Sequence, residues 1–196
     1  MPNPGHLTPS TFDALMTNNR KGDGMGETAL TVVDQLVLDW LGVPRLEITA
    51  AAMEWGKDNE DAARLLYAIT HNCKVVKPDE PRFSESHPYV CGEIDGLIVG
   101  AVGADKGIEI KCPYTPRNHL AYNQNLSNYK YQIQGYMWIY GLQQIDFVSY
   151  SPLFPEKHQL KIITIDRQDD LIAALQQRCE QAYQLAADKY YEMDGD

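Results

Sequence analysis

Residues 108–111 read Ile-Glu-Ile-Lys, and this alternation constrains the chain more than any other stretch of it. Side chains along a strand alternate between faces, so the two isoleucines claim one side of a sheet while Glu109 and Lys111 share the other. The preceding run, residues 90–99, is a second strand candidate that carries Asp95. Gly100, Gly103 and Gly107 supply turns that fold the two into a hairpin. If the strands pair with Asp95 and Glu109 projecting the same way, two carboxylates converge with a lysine beside them. Oxygen ligands so arranged suit a hard Mg²⁺ or Mn²⁺ ion, and an adjacent ammonium positions or deprotonates a water.

Asp95 followed by Glu109-Ile110-Lys111 matches the D…(D/E)-x-K signature of the restriction-endonuclease-like nucleases. The neighbouring residues sharpen the match. Residues 109–117, Glu-Ile-Lys-Cys-Pro-Tyr-Thr-Pro-Arg, are similar to the L-E-L-K-C-P-F-T-S-R run of the lambda exonuclease and YqaJ-type viral recombinase family. Upstream, Trp55-Gly56-Lys57, Glu60 and Ala63-Arg64 resemble that family's W-G-K-x-x-E-x-x-A-R helix. Downstream, residues 131–138, Tyr-Gln-Ile-Gln-Gly-Tyr-Met-Trp, resemble its Q-V-Q-x-x-M-W helix. The three segments occur in the family's order.

This resemblance implies a restriction-endonuclease-like core and a Mg²⁺-dependent, or Mn²⁺-dependent, exonuclease digesting linear double-stranded DNA 5′ to 3′ in phage-type recombination. It also implies a toroidal homotrimer, a single-strand annealing protein as partner, and a phage or prophage origin. By the same resemblance Asp95 and Glu109 are the principal metal ligands, with Glu60 a further ligand and the Ile110 carbonyl a main-chain one. Lys111 would orient or activate the water, and Gln132 would hydrogen-bond it. Ser10, in a T-x-S element, and Arg117 would grip DNA phosphates. Read from spacing alone, Glu60 is a surface glutamate paired with Lys57 or Arg64, Ser10 or Thr8 is a helix cap, and Arg117 is a surface arginine. Longer relatives carry a Trp and a 5′-phosphate-binding Arg upstream of the first helix. Here only residues 1–6 precede Leu7, which leaves Arg20, Lys21 or another subunit to fill that place.

A chain of 196 residues, 44% hydrophobic, suits one nuclease domain with a sizeable core. No apolar run approaches the ~20 residues of a membrane span, and the start lacks the basic and apolar regions of a signal peptide, so a cytoplasmic protein is expected. The net charge of -10 argues against a coat that binds nucleic acid through overall positive charge. A nuclease needs only a local basic lining, for which Arg20, Lys21, Lys106, Lys111, Arg117, His119 and Lys130 are candidates. Cys73, Cys91, Cys112 and Cys179 are scattered, without a C-x-x-C pair, which excludes zinc, iron–sulfur and disulfide frameworks and leaves reduced thiols.

Helical spacing appears over residues 27–41, 50–70, 129–142 and 169–191, with a helix start at residues 7–12. The helix over 50–70 is expected to bury Trp55, Leu65, Leu66 and Ile69. Alternation marks strands at 72–77, 145–151 and 159–166, besides those over 89–99 and 107–112. Gln134, two residues beyond Gln132, points elsewhere and reads as structural. The expected fold is α/β, a central mixed sheet with helices on both faces. Other readings also fit the residues. A structure-specific endonuclease or resolvase of the same superfamily would act on covalently closed duplex, and a non-catalytic DNA-end-binding module would show no metal-dependent cutting. The plainest alternative makes Glu109 and Lys111 a surface pair.

Overall fold

A computed structural model describes residues 5–45, 51–100, 103–124 and 126–194. Residues 1–4 of the start, residue 50 of the expected second long helix and the turn residues 101–102 lie outside the described residues. Helices α1 (Pro9–Leu15), α2 (Glu27–Trp40) and α3 (Ala51–His71) lead into strands β1 (Val75–Val76), β2 (Arg82–Phe83), β3 (Cys91–Gly92), β4 (Gly96–Gly100) and β5 (Gly103–Lys111). After α4 (Pro116–Leu120) come α5 (Lys130–Tyr140), β6 (Gln144–Tyr150), β7 (Leu160–Asp166) and α6 (Asp169–Asp194). The main sheet has the order β1-β4-β5-β6-β7. Its β5–β6 pair is parallel and the others are antiparallel, and β2 pairs with β3 apart from it.

The alternation of the central strands divides the core into two layers. Ile108, Ile110, Val148 and Tyr150 pack under α3 against Ala63 and Tyr67. Ile145 and Phe147 join the opposite layer, built from α1, α2, α5 and α6 with Phe12, Val33, Met137 and Leu175 among its buried side chains. Period two therefore sends Glu109 and Lys111 to the α5 side, opposite the isoleucines. This is the expected mixed sheet with helices on both faces. The four cysteines are all free, and among the described residues no helix is long and apolar enough to cross a membrane.

Several details depart from the sequence expectation, among them the strand expected over 72–77, of which only Val75–Val76 pairs in the sheet. Residues 90–99 do not form one strand: β3 ends at Gly92 and β4 begins at Gly96, leaving Asp95 outside either strand. Gly107 belongs to β5 and not to a turn, pairing with Leu97 and Ile145, and a Cβ there would lie 2.6 Å from Ile94 Cδ1 and 2.9 Å from Leu142 Cδ1. On α3, Leu65 and Ile69 are 62% and 68% exposed and Trp55 and Leu66 only half-buried, while Ala63 and Tyr67 are buried. Residues two apart lie on nearly opposite sides of a helix, so burying Tyr67 turns Leu65 and Ile69 outward.

A polar latch fixes that rotation. The Tyr67 hydroxyl donates to Asp146 Oδ2 on β6 at 2.6 Å, while Thr164 Oγ1 and Lys106 Nζ reach Oδ1 at 2.5 and 2.7 Å. Burial alone would raise the Asp146 carboxyl, yet these donors hold it below the usual range. Tyr67→Phe should therefore destabilise the protein by about 1.5–3 kcal/mol, the scale for a hydrogen bond to a buried charged group. Urea unfolding would register this as a lower midpoint with an unchanged slope.

Candidate active site

The ladder between β4 and β5 stops at the Gly96–Ile108 pair. Ile110, two residues further along β5, directs its N–H to the same side of the strand, where β4 no longer offers a carbonyl. The Asp95 carboxyl takes its place, with Oδ2 accepting from Ile110 N at 2.6 Å. The main chain of Asp95 is held from the other direction, since its carbonyl accepts from Arg64 Nε at 2.7 Å. A strand break thus carries Asp95 to the end of β5, where it lines the same cavity as Glu109.

Glu109 is 2% exposed. Its Oε1 accepts from Lys111 Nζ at 2.7 Å and from Gln132 Nε2 on α5 at 2.8 Å. Oε2 is buried and has no hydrogen-bond donor. Burial raises the Asp95 carboxyl well above its ordinary value, and the neighbouring Glu109 and Glu60 charges add to this. Burial likewise raises Glu109 against the pull of Lys111. Burial would lower Lys111, but Glu109 outweighs it and the ammonium form is favoured. The Lys111 ammonium also sits 4.9 Å from the centre of the Tyr129 ring, which favours the same charged form.

These groups line one cavity of about 500 Å³, together with Glu60, Ile110, Asn118 and Tyr122. Of the residues singled out from sequence, Asp95, Glu109, Lys111, Gln132, Ile110 and Glu60 share this wall. Glu60 is engaged elsewhere as well. Its Oε1 meets Arg64 at 2.6 Å and Lys77 at 3.2 Å, so Arg64 is the expected partner of the surface reading and Lys57 is not. Among the described residues no three His, Cys, Asp or Glu side chains close into a metal cluster. The donor set nonetheless fits a divalent cation: buried Glu109 and half-buried Asp95 line one cavity, and a Glu109 oxygen without a donor there suits either a shared proton or a cation.

Ser10 and Arg117 stand apart from that wall. Both are exposed, Ser10 in the first turn of α1 with its hydroxyl 3.0 Å from Thr8 Oγ1, and Arg117 on α4. Thr8 occupies the cap position of α1 without a side-chain cap bond. The expected basic lining is thinner than the sequence indicates, because three of its members are committed within the fold. Lys106 serves Asp146, Lys111 serves Glu109, and His119 is fully buried. His119 donates from Nε2 to the His158 carbonyl at 2.8 Å, which leaves Nδ1 to accept from Ser149 Oγ at 2.8 Å. It pins α4 to the strand beside Lys111, as Ser149 is the register partner of Lys111. Gln134 is structural as expected, bonding the Asp166 carbonyl and the Gln168 N–H. The supporting roles of Arg64, Tyr129 and Ser149 carried no sequence signal beyond the place of Arg64 in the W-G-K helix.

With this geometry in view, the chain matches the YqaJ-like viral recombinase domain over residues 4–143. It belongs to that family. Its fold is that of LHK-Exo, an alkaline exonuclease from Laribacter hongkongensis, with a TM-score of 0.84 at 25% identity over 97% of this chain and 92% of that one. LHK-Exo solved in complex with dAMP gives the same TM-score at 26% identity and the same coverage. A phage-related exonuclease from Haemophilus somnus 129PT shares the fold, with a TM-score of 0.79 at 20% identity over 97% of each chain. No curated protein matches the sequence.

Two outcomes test the electrostatics of this YqaJ-family site. Asp95→Asn keeps an oxygen for the Ile110 N–H and removes one of two apposed acids. It should raise Tm in the absence of divalent ions, by roughly 2–4 °C for each 1 kcal/mol of relieved burial cost and repulsion, and abolish any further rise on adding Mn²⁺. Differential scanning calorimetry reads both. Burial lowers the His119 imidazole below its ordinary 6.5, so the unfolded chain takes up a proton before the folded one. The contribution of His119 is complete above about pH 6.5 and is lost as pH falls below it. Melting curves at about pH 7.5 and 5.5 should show a smaller loss on acidification in His119→Gln than in wild type.

Proposed function

We propose that the chain is a metal-dependent exonuclease that hydrolyses phosphodiester bonds of linear double-stranded DNA, 5′ to 3′, in phage-type recombination. The observation that carries this reading is the pairing of Asp95 and Glu109 in one cavity, with the Lys111 nitrogen on one Glu109 oxygen and no donor on the other. Membership of the YqaJ-like family and the likeness to an alkaline exonuclease support it.

Phosphodiester hydrolysis needs a water in line with the scissile bond, compensation for charge on the five-coordinate phosphorus, and a leaving oxygen that tolerates that charge. Asp95 and Glu109, with Glu60 and the Ile110 carbonyl, would hold Mg²⁺ or Mn²⁺, which supplies Lewis-acid stabilisation when bound. Lys111, whose ammonium nitrogen lies 2.7 Å from Glu109 Oε1, would orient or activate the attacking water. Gln132, seated on the same carboxylate, hydrogen-bonds the attacking water and fixes its direction. Ser10 and Arg117 grip phosphates outside the cavity, where an exposed guanidinium offers its fork to two oxygens. A homotrimer around the duplex and a single-strand annealing protein as partner complete the proposal.

The test is a 5′-labelled linear duplex incubated with the protein, with and without Mg²⁺. Labelled mononucleotide released only with the metal, and covalently closed duplex left intact, is the expected result. Cutting of closed duplex, or release without a divalent ion, would overturn it. In the same assay Lys111→Ala should keep the fold yet cleave slower by about 10² or more, the scale for losing a catalytic acid–base group. A wild-type rate in that variant would remove Lys111 from the reaction.

A further inference from the structure

Helix α5 begins without a cap of its own. Tyr129, at its cap position, makes no side-chain cap hydrogen bond. The first N–H groups of any helix lack intrahelical acceptors, and here two of them are met from the opposite end of the chain. Asp13 on α1 accepts from Tyr131 N through Oδ1 at 3.0 Å and from Gln132 N through Oδ2 at 2.9 Å. Both oxygens of one half-buried carboxylate are thus spent on consecutive amides, and its negative charge lies at the positive end of the α5 dipole.

The second of those amides belongs to Gln132, whose side chain reaches Glu109 Oε1. A further contact keeps α1 seated on α5: a Cβ added to Gly135 would lie 2.5 Å from two atoms of the Phe12 ring, so only glycine lets Phe12, the residue before Asp13, approach so closely. Asp13 holds the main chain of Gln132 while Phe12 holds α5 three residues further on. Together they fix the axial position of α5 against the carboxylates.

We propose that Asp13 is a positioning residue for the hydrolytic site, acting as a cap supplied from α1 that aims the Gln132 amide at Glu109. This inference rests on the exonuclease reading of the same site for its activity readout. Asp13 itself touches no reacting group. Its removal leaves the cavity intact and lets the first turn of α5 fray, so that Gln132 samples positions away from Glu109. Misplacement by about 1 Å is enough to cost on the order of 10- to 100-fold in rate.

The experiment is a double-mutant cycle on the full chain with a linear duplex and Mg²⁺, comparing wild type, Asp13→Ala, Gln132→Ala and the double variant. Asp13→Ala should lower kcat on the order of 10- to 100-fold with KM little changed, and should cost nothing further when Gln132 is already Ala. Equal losses from Asp13→Ala in both backgrounds, or a wild-type kcat in the single variant, would overturn the assignment. Should Asp13→Ala not fold, Asp13→Asn takes its place in the cycle. It keeps one acceptor but turns an NH₂ toward the second amide, and the same non-additivity is expected. Hydrogen exchange at the Tyr131 and Gln132 amides gives a readout that needs no catalysis: exchange quickens in the Asp13 variant if the cap is real, and unchanged protection refutes it. Wild-type protein that releases no nucleotide would defeat the exonuclease reading alone, with the exchange measurement still deciding the role of Asp13.

Discussion

The placing of the Asp95 and Glu109 carboxyls in one cavity sets conditions that the surrounding structure meets. Burial disfavours the charged form of each carboxyl, and the neighbouring Glu109 charge raises Asp95 further. Compensation arrives from every adjoining element. β5 gives the Ile110 N–H to Asp95 and the Lys111 ammonium to Glu109, and α5 gives the Gln132 amide. From α3, Arg64 ties the Glu60 carboxylate to the Asp95 carbonyl through separate nitrogens of one guanidinium. One Glu109 oxygen remains without a donor, and the balance is left open at that atom.

Much of this was readable in the residues themselves. Alternation over 108–111 gave the face of Glu109 and Lys111, and helical spacing separated Gln132 from Gln134, which the structure sends to different partners. The break at 93–95 was hidden, because residues 90–99 carry no proline and read as a continuous strand; it exists to satisfy an amide on another strand. The buried face of α3 was hidden for a similar reason. Leu65 and Ile69 are more apolar than Ala63 or Tyr67, but a hydroxyl that reaches a buried carboxylate overrides hydrophobic ranking. Gly107 read as a turn residue, whereas its lack of a side chain serves close packing of Ile94 and Leu142. Asp13 gave no signal, since nothing local marks a carboxylate that caps a helix more than a hundred residues away.

The net charge of -10 coexists with a site proposed to bind a polyanion. Part of the positive charge is withdrawn inside: Lys106 and Lys111 neutralise buried acids, and His119 stays neutral between Ser149 and the His158 carbonyl. Arg20, Lys21, Arg117 and Lys130 remain exposed. Attraction for a phosphate backbone would then come from a few well-placed cations, and salt would weaken it by a correspondingly small power.

The parallel pairing of β5 with β6 has a bearing on how the chain is made. Parallel neighbours cannot be joined by a tight turn, so the segment carrying α4 and α5 must be laid down before Lys111 finds Ser149 across the ladder. Asp13 waits still longer for its partners, 118 and 119 residues on. Contacts of such long range cost loop-closure entropy before they stabilise, which slows folding. A nascent chain can close the local β4–β5 pair beside which Asp95, Glu109 and Lys111 gather, but Gln132 joins them only once α5 has packed, and its support from Asp13 only once α1 is in place.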